Sequence, residues 1–343
     1  MKNQNLYKNC QLCPRACGVD RLRGEKGVCG AGSSPRIARA ALHYWEEPCI
    51  SGTRGSGAVF FSGCSLHCVF CQNEPIARGT AGKDISLERL TEIFLELQEK
   101  GANNINLVTP GHYVPHIIAA VEKAKAQGLK LPIIYNTGGY ETVENIKRLE
   151  GIVDVYLPDF KYMDPVLAKE FSHAEDYPAV AKAALREMVR QKPKCLFYRE
   201  CIENRNGNGS RNEDLSRDDF ENRNAMENRC RTYMEYDDGL LIREGVIVRQ
   251  LLLPGHVKDA RAVVKYLHET YGSRIYLSMM SQYTPLPQVE EQPYQELCRR
   301  VTRREYERLL DYVMALGVEQ AFIQEGQTAE ESFIPDFFSG EGV

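Results

Sequence analysis

Apolar residues along this chain gather in short runs, and amphipathic stretches separate the runs. GAVFFSG at 57–63 is the first clear run and predicts a strand. DISLERLTEIFLELQEK at 84–100 spaces its apolar residues as a helix does and stops at Gly101. The pairing then repeats. Strands are expected at 104–108, 131–135, 152–160, 246–253 and 274–280, and helices at 114–127, 141–150, 178–191 and 259–271. A helix at 303–316 and a short strand at 319–324 close the series. Such alternation predicts βαβ units around a parallel sheet, with right-handed crossovers. A series of six units curls into a full or partial β/α barrel, or stays a doubly wound sheet.

Residues 203–231 break the pattern. They hold seven Asn and six Arg and almost no large apolar residue, with Arg205, Arg211, Arg217, Arg223 and Arg229 spaced six apart. No position of that hexad is regularly apolar, so the repeats have nothing to stack into a core. The stretch reads as a solvated low-complexity insertion.

Composition narrows the classes further. Of 343 residues, 43% are hydrophobic and 26% charged, which excludes a mostly disordered, collagen-like or coiled-coil chain. Lys plus Arg is 43 against 47 for Asp plus Glu, a net charge of −4, so no basic footprint marks a nucleic-acid or membrane-surface binder. No apolar run reaches the length of a spanning helix, and MKNQNLYKNCQLC has no signal-peptide core. A cytoplasmic protein is expected.

The twelve cysteines change the picture most. Cys10, Cys13, Cys17, Cys29, Cys49, Cys64, Cys68 and Cys71 all precede residue 72, while Cys195, Cys201, Cys230 and Cys298 are scattered. In a reducing compartment, close-spaced thiols are metal or cluster ligands sooner than disulfides. GCSLHCVFCQN places Cys64, Cys68 and Cys71 at C-x3-C-x2-C, directly after the first expected strand. Three thiolates on one tight loop can hold three irons of a 4Fe-4S cube and leave the fourth iron open. A structural zinc site with His67 as a fourth ligand, or plain reduced thiols, would fit the same residues. Cys10, Cys13, Cys17 and Cys29 form a second set, C-x2-C-x3-C-x11-C, which suits structural zinc and a second iron–sulfur cluster equally. Cys49 and the four late cysteines read as buried or free thiols, and His43, His116, His173 and His268 as packing or surface residues.

The C-x3-C-x2-C loop resembles the signature of the radical S-adenosylmethionine (SAM) superfamily. Later strand ends agree: YNTGGYE, YLPDFKY and VRQLLLPGH resemble the glycyl-radical-enzyme activating enzymes, typified by the pyruvate formate-lyase activating enzyme. The resemblance covers residues 57–280 apart from the insertion. It implies an α/β fold, a partial (β/α)6-type barrel at 51–330, with a Cys-rich extension at 1–50 and a tail at 331–343. It implies a 4Fe-4S cluster on Cys64, Cys68 and Cys71, with SAM chelated at the open iron. Phe70, the aromatic residue before the third cysteine, would lie near the adenine. Asn136, Thr137, Asp159, Lys161, Arg249, Leu251 and His256 fall on segments that surround the methionine carboxylate and ribose. Lys161 and His256 could pair a carboxylate, and Asp159 could accept from ribose or a cation. The superfamily's Gly-Gly-Glu-like segment after the second strand is replaced by Val108-Thr109-Pro110-Gly111-His112, which leaves Thr109 and nearby carbonyls for the methionine amino group.

The activity this implies is one-electron cleavage of SAM to a 5′-deoxyadenosyl radical that abstracts hydrogen, first of all from a glycine of a partner enzyme. A flavodoxin- or ferredoxin-like electron donor is then a required partner. Radical modification of another protein or of a small molecule is the alternative within enzymes. A non-catalytic iron–sulfur carrier or zinc-stabilised scaffold is the alternative outside them.

Overall fold

The computed structural model describes residues 4–199, 214–215, 239–290, 294–324 and 334–343. Its strands are β1 (Arg36–His43), β2 (Ser56–Phe61), β3 (Lys83–Asp84), β4 (Ile105–Val108), β5 (Ile133–Thr137), β6 (Val155–Pro158), β7 (Leu196–Arg199), β8 (Asp214–Leu215), β9 (Leu240–Leu251), β10 (Tyr276–Met280) and β11 (Ala321–Ile323). The helices are α1 (Pro48–Ser51), α2 (Glu74–Ala77), α3 (Leu87–Glu99), α4 (Val114–Ala126), α5 (Val143–Arg148), α6 (Pro165–Ser172), α7 (Tyr177–Gln191), α8 (Val257–Tyr271), α9 (Pro287–Glu290) and α10 (Arg303–Ala315).

The main path of the sheet runs β11-β10-β9-β6-β5-β4-β2-β1-β3. From β2 to β11 every neighbour is parallel and follows in chain order. Crossovers of one hand between successive neighbours put the helices on one face, so the sheet curls with that face outward. The alternation read from the sequence is therefore a partial barrel of six βα units closed off by β11. Side chains divide as the pleat requires. Val59, Phe61, Leu107, Tyr135 and Val248 join Leu90, Ile93, Phe94 and Leu97 of α3 in the outer core. Those α3 positions recur at helical spacing, and Ser86 caps the helix by accepting from Arg89 N at 3.1 Å. The opposite face carries Ile134, Val155, Leu157, Ile247 and Tyr276, packed with Cys49 and Ile50.

Some elements differ from expectation. β1 lies inside the segment read as a separate extension, yet it pairs antiparallel with β2 and belongs to the sheet. β9 is longer than its expected strand, because Leu240–Glu244 pairs antiparallel with β7 before the parallel part begins. The connection from 200 to 238 thus attaches at the N-terminal end of β9, away from the cysteine loop that follows β2. Apart from the short β8, the 203–231 insertion lies outside the described residues. Among the described residues no helix is long and apolar enough to cross a membrane.

The Cys-rich segment is docked on the barrel. Arg21 is 1% exposed and sits over the rings of Tyr7 and Tyr113, at 4.3 and 5.3 Å from their centroids. Its Nη1 donates to the His112 carbonyl at 2.7 Å and its Nε to Gly32 O at 2.9 Å. Tyr7 reaches His116 Nδ1 at 2.7 Å. Carbonyl dipoles and ring faces solvate this buried cation, and among the described residues no carboxylate pairs with it. Replacing it removes several contacts at once and leaves the carbonyls unpaired. Arg21→Met should lower stability by about 2–4 kcal/mol, read as a shift of the urea midpoint. An unchanged midpoint would show that the segment is not held there.

Candidate functional site

The site forms where the C-terminal ends of the parallel strands meet the N-terminal segment, the end at which parallel α/β folds place ligands. β2 ends at Phe61, and the cysteine loop follows at once. Gly63 turns that loop at φ +99, and a Cβ there would stand 2.7 Å from the Cys29 carbonyl. Only glycine lets the two cysteine segments approach so closely. Val28 O meets His67 Nε2 at 2.9 Å. Arg15 ties three segments together, donating to Ser65 O at 2.8 Å, His173 O at 2.5 Å and Ser172 O at 3.2 Å. Cys13, Cys64, Thr109, Thr137 and Glu141 line one small cleft.

Backbone strain concentrates here. Among the described residues, the non-glycine residues with positive φ are Ala16, His67, Thr109 and His173. All four belong to segments that meet at this mouth. Thr109, a β-branched residue at φ 56, is held by its N–H donating to Asn136 O at 2.8 Å. Such strain persists where surroundings over-determine the backbone, commonly at binding sites.

The ionisable groups of the mouth are arranged around Cys68. Ser172 donates its hydroxyl to Cys68 Sγ at 2.9 Å. Burial pushes the Cys68 thiol up, while Lys161 and the Ser172 hydroxyl oppose that rise. Burial likewise pushes Cys71 up, with Cys68 and Cys64 adding to the effect. Burial alone would lower Lys161, but the Asp159 carboxylate at 2.6 Å and the Cys68 thiol raise it above its ordinary value. Cys64 Sγ accepts from Leu66 N at 3.4 Å and Cys17 Sγ from Val28 N at 3.4 Å. In the N-terminal set, burial pushes Cys13 up to about 12 and also raises Cys29. Among the described residues no three His, Cys, Asp or Glu side chains converge on a single-ion site. In a cluster each thiolate takes its own iron, so the sulfurs need not meet at one point. Cys64 and Cys68 both act on the Cys71 thiol, so the three sulfurs lie near enough to one another to fit that donor set.

Residues 58–197 match the radical SAM superfamily model. Those residues are similar to a radical SAM domain. Over 186 residues it is 30% identical to the uncharacterized protein MJ0674 of Methanocaldococcus jannaschii, covering 52% of this chain and 53% of the relative. Among solved structures it is similar to a domain of pyruvate-formate lyase-activating enzyme from Bacteroides vulgatus, at 11% identity and a TM-score of 0.39, covering 65% of this chain and 100% of that one. It is also similar to Streptococcus suis SuiB bound to S-adenosylmethionine, at 11% identity and a TM-score of 0.43, covering 80% and 52%. The chain spans about half the length of the curated relative and of the SuiB chain. The family implies a 4Fe-4S cluster and SAM, and the matched span contains Cys64, Cys68 and Cys71.

Several of the residues expected at the site lie side by side at the strand ends. Asn136 and Thr137 end β5, Asp159 follows β6, and Lys161 reaches back to Asp159. Phe70 is buried, edge-on to Phe171 and Tyr283 at 6.5 and 6.2 Å. His256 packs on Phe171 at 5.3 Å, and its buried Nε2 lies 3.9 Å from the Glu296 carboxylate with no hydrogen-bond partner among the described residues. Leu251 ends β9 and is half-buried. Arg249 is placed differently. Its Nε donates to Glu47 Oε1 at 2.7 Å and its Nη2 to Glu47 Oε2 at 2.6 Å and to Glu46. Those donors are committed to carboxylates on the β1–α1 link.

Glu141 was not singled out by the sequence, although it is the acidic residue of YNTGGYE. Its carboxylate is buried beneath the Thr109–Gly111 turn, where a Cβ on Gly111 would come within 2.5 Å of it. It accepts from Thr137 Oγ1 at 2.7 Å and Tyr135 Oη at 3.2 Å. Burial pushes it up to about 7, against the pull of those hydroxyls. The folded chain therefore holds a proton that the unfolded chain releases above the ordinary value of 4.5. That stabilisation is full below the unfolded value and is lost as pH rises through the folded one. The metal-free protein should lose up to about 3 kcal/mol between these limits, and Glu141→Gln should flatten the loss. Urea midpoints near pH 5 and near pH 7.5 test this; parallel pH profiles for the two proteins would exclude Glu141 as the group.

Proposed function

We propose that this chain is a radical SAM enzyme that cleaves SAM reductively and directs the resulting radical to a glycine α-carbon of a partner enzyme. The observation that carries the reading is the C-x3-C-x2-C loop at the end of β2, with Cys68 beside the Lys161–Asp159 pair at the barrel mouth. Bound there, a 4Fe-4S cluster and SAM supply one-electron cleavage to a 5′-deoxyadenosyl radical. Cys64, Cys68 and Cys71 would hold the cluster's irons. Lys161 presents a buried, fixed charge to a carboxylate, and the amide of Asn136 and hydroxyl of Thr137 stand at the next strand end. The Arg15 and Arg21 anchors keep the N-terminal segment over the mouth and reduce its access to water. The glycine target rests on the likeness of YNTGGYE, YLPDFKY and VRQLLLPGH to the activating enzymes.

Cys68→Ala tests the core of this reading. Anaerobically reconstituted wild-type protein should bind iron and sulfide and release 5′-deoxyadenosine on dithionite reduction. The variant should retain the far-ultraviolet circular dichroism of wild type but lose that release. Release at the wild-type rate would sink the assignment.

The N-terminal cysteines are proposed to hold their own metal, a second cluster, because among the described residues no three side chains there converge on a single ion such as zinc. Cys10 lies against Arg21 Nη1 at 3.8 Å, and Cys10 and Cys17 both add to the rise of the Cys29 thiol. A Cys10→Ser, Cys13→Ser variant should lose one metal centre and some stability while keeping the iron held by Cys64, Cys68 and Cys71. Unchanged zinc and iron content would refute a metal there.

A further inference from the structure

We propose that the groove between α8 and α10 is the docking surface for an acidic one-electron donor protein that reduces the Cys64–Cys68–Cys71 centre. The inference rests on the radical SAM reading and adds where the electron enters. The groove has a volume of about 410 Å³ and is lined by Val257, Lys258, Arg261, Ala262, Arg308 and Tyr312. Arg261 lies over the Tyr312 ring at 5.1 Å and donates from Nη2 to Arg308 O at 2.6 Å, so the cationic wall is fixed in place. At the start of α10, Glu305 and Glu307 are taken by Arg299 and Arg303, at 2.7 and 2.6 Å. Lys258, Arg300, Arg304 and Arg308 are exposed, and among the described residues none of them pairs with a carboxylate. In a chain of net charge −4 this excess of positive charge is local. It steers an acidic protein to one face.

The same face connects inward. Val257 follows His256, whose ring packs on Phe171 with centroids 5.3 Å apart, and Phe171 meets Phe70 at 6.5 Å. The Phe171 carbonyl accepts from Val69 N at 2.9 Å, and the adjacent Ser172 donates to Cys68 Sγ. Packed protein therefore runs from the groove to the loop that bears the three ligand cysteines. In the step proposed, the donor is oxidised by one electron and the centre is reduced by one. No bond forms or breaks and no proton moves. Flavodoxins and acidic ferredoxins are donors of this class.

The test uses the reconstituted full chain, a bacterial flavodoxin as donor, and an Arg304→Glu, Arg308→Glu double variant. Flavodoxin affinity should fall about tenfold in the variant, and wild-type affinity should weaken from about 50 to about 300 mM salt. Flavodoxin-driven 5′-deoxyadenosine release should fall in step, while dithionite-driven release stays at the wild-type rate. Equal affinity for the two proteins, or salt-independent binding by wild type, would overturn the proposal. So would an equal fall in dithionite-driven release, or a short DNA oligonucleotide binding as tightly as flavodoxin. Absence of dithionite-driven release from wild type would count against the radical SAM reading, and the affinity measurements would still decide the docking surface.

Discussion

An open, curled sheet has to fill its own interior, and here one ionic contact fixes how that is done. Arg249 of β9 is gripped by Glu46 and Glu47, which stand between β1 and α1 some two hundred positions earlier. The contact pulls the β1–α1 link across the concave side, and Cys49 and Ile50 follow it into the apolar floor. Burial opposes the charges of Arg249 and Glu47. The carboxylates nevertheless hold Arg249 well above its ordinary range, and Arg249 holds Glu47 below its own. Removing one partner would leave an unpaired charge in the interior, which is why such contacts lock one geometry in place.

That geometry sets the level at which the mouth begins. Asp159 bridges to Arg249 in the sheet, and Ser278 flanks it on the other side. The strand ends bearing Asn136, Asp159 and Lys161 are thereby aligned above a closed floor, with the cysteine loop at their edge. The Cys-rich segment covers the loop from outside through Arg15 and Arg21. The mouth thus lies between two layers, each tied down by arginines that use carbonyls or carboxylates from distant parts of the chain.

Most of the barrel was legible because its signal is local. The runs at 57–63, 104–108 and 274–280, with their intervening amphipathic helices, report burial on a sheet and beneath it without reference to anything else. The cysteine loop was legible for the same reason, since its spacing is its chemistry. β1 was not. RIARAALH is neither a clean apolar run nor a clean alternation, and it pairs antiparallel with a strand whose other neighbour, β4, is parallel. The partners of Arg249 were equally hidden, because a strand-end arginine reads the same whether it faces a ligand or a carboxylate from the other end of the chain. Glu141 was visible as a residue, but its burial depends on the turn at Thr109–Gly111. The N-terminal segment has few large apolar residues, and its docking through ring faces and carbonyls leaves no periodic trace.

The tail at 334–343 has a bearing on how the molecule behaves among copies of itself. An unclosed sheet has two edges, and each unpaired backbone row is a template for a foreign strand. β11, at one edge, is three residues long. β1, at the other, is eight residues long and apolar over much of its length. β3 pairs with its first two residues, and the Glu341 carbonyl accepts from Ala40 N at 2.9 Å. Arg39 pairs with the Glu341 carboxylate at 2.6 Å, and Arg89 donates to Gly342 O at 3.2 Å. The tail is therefore a guard against strand-to-strand aggregation, keeping the longer edge from recruiting a neighbour.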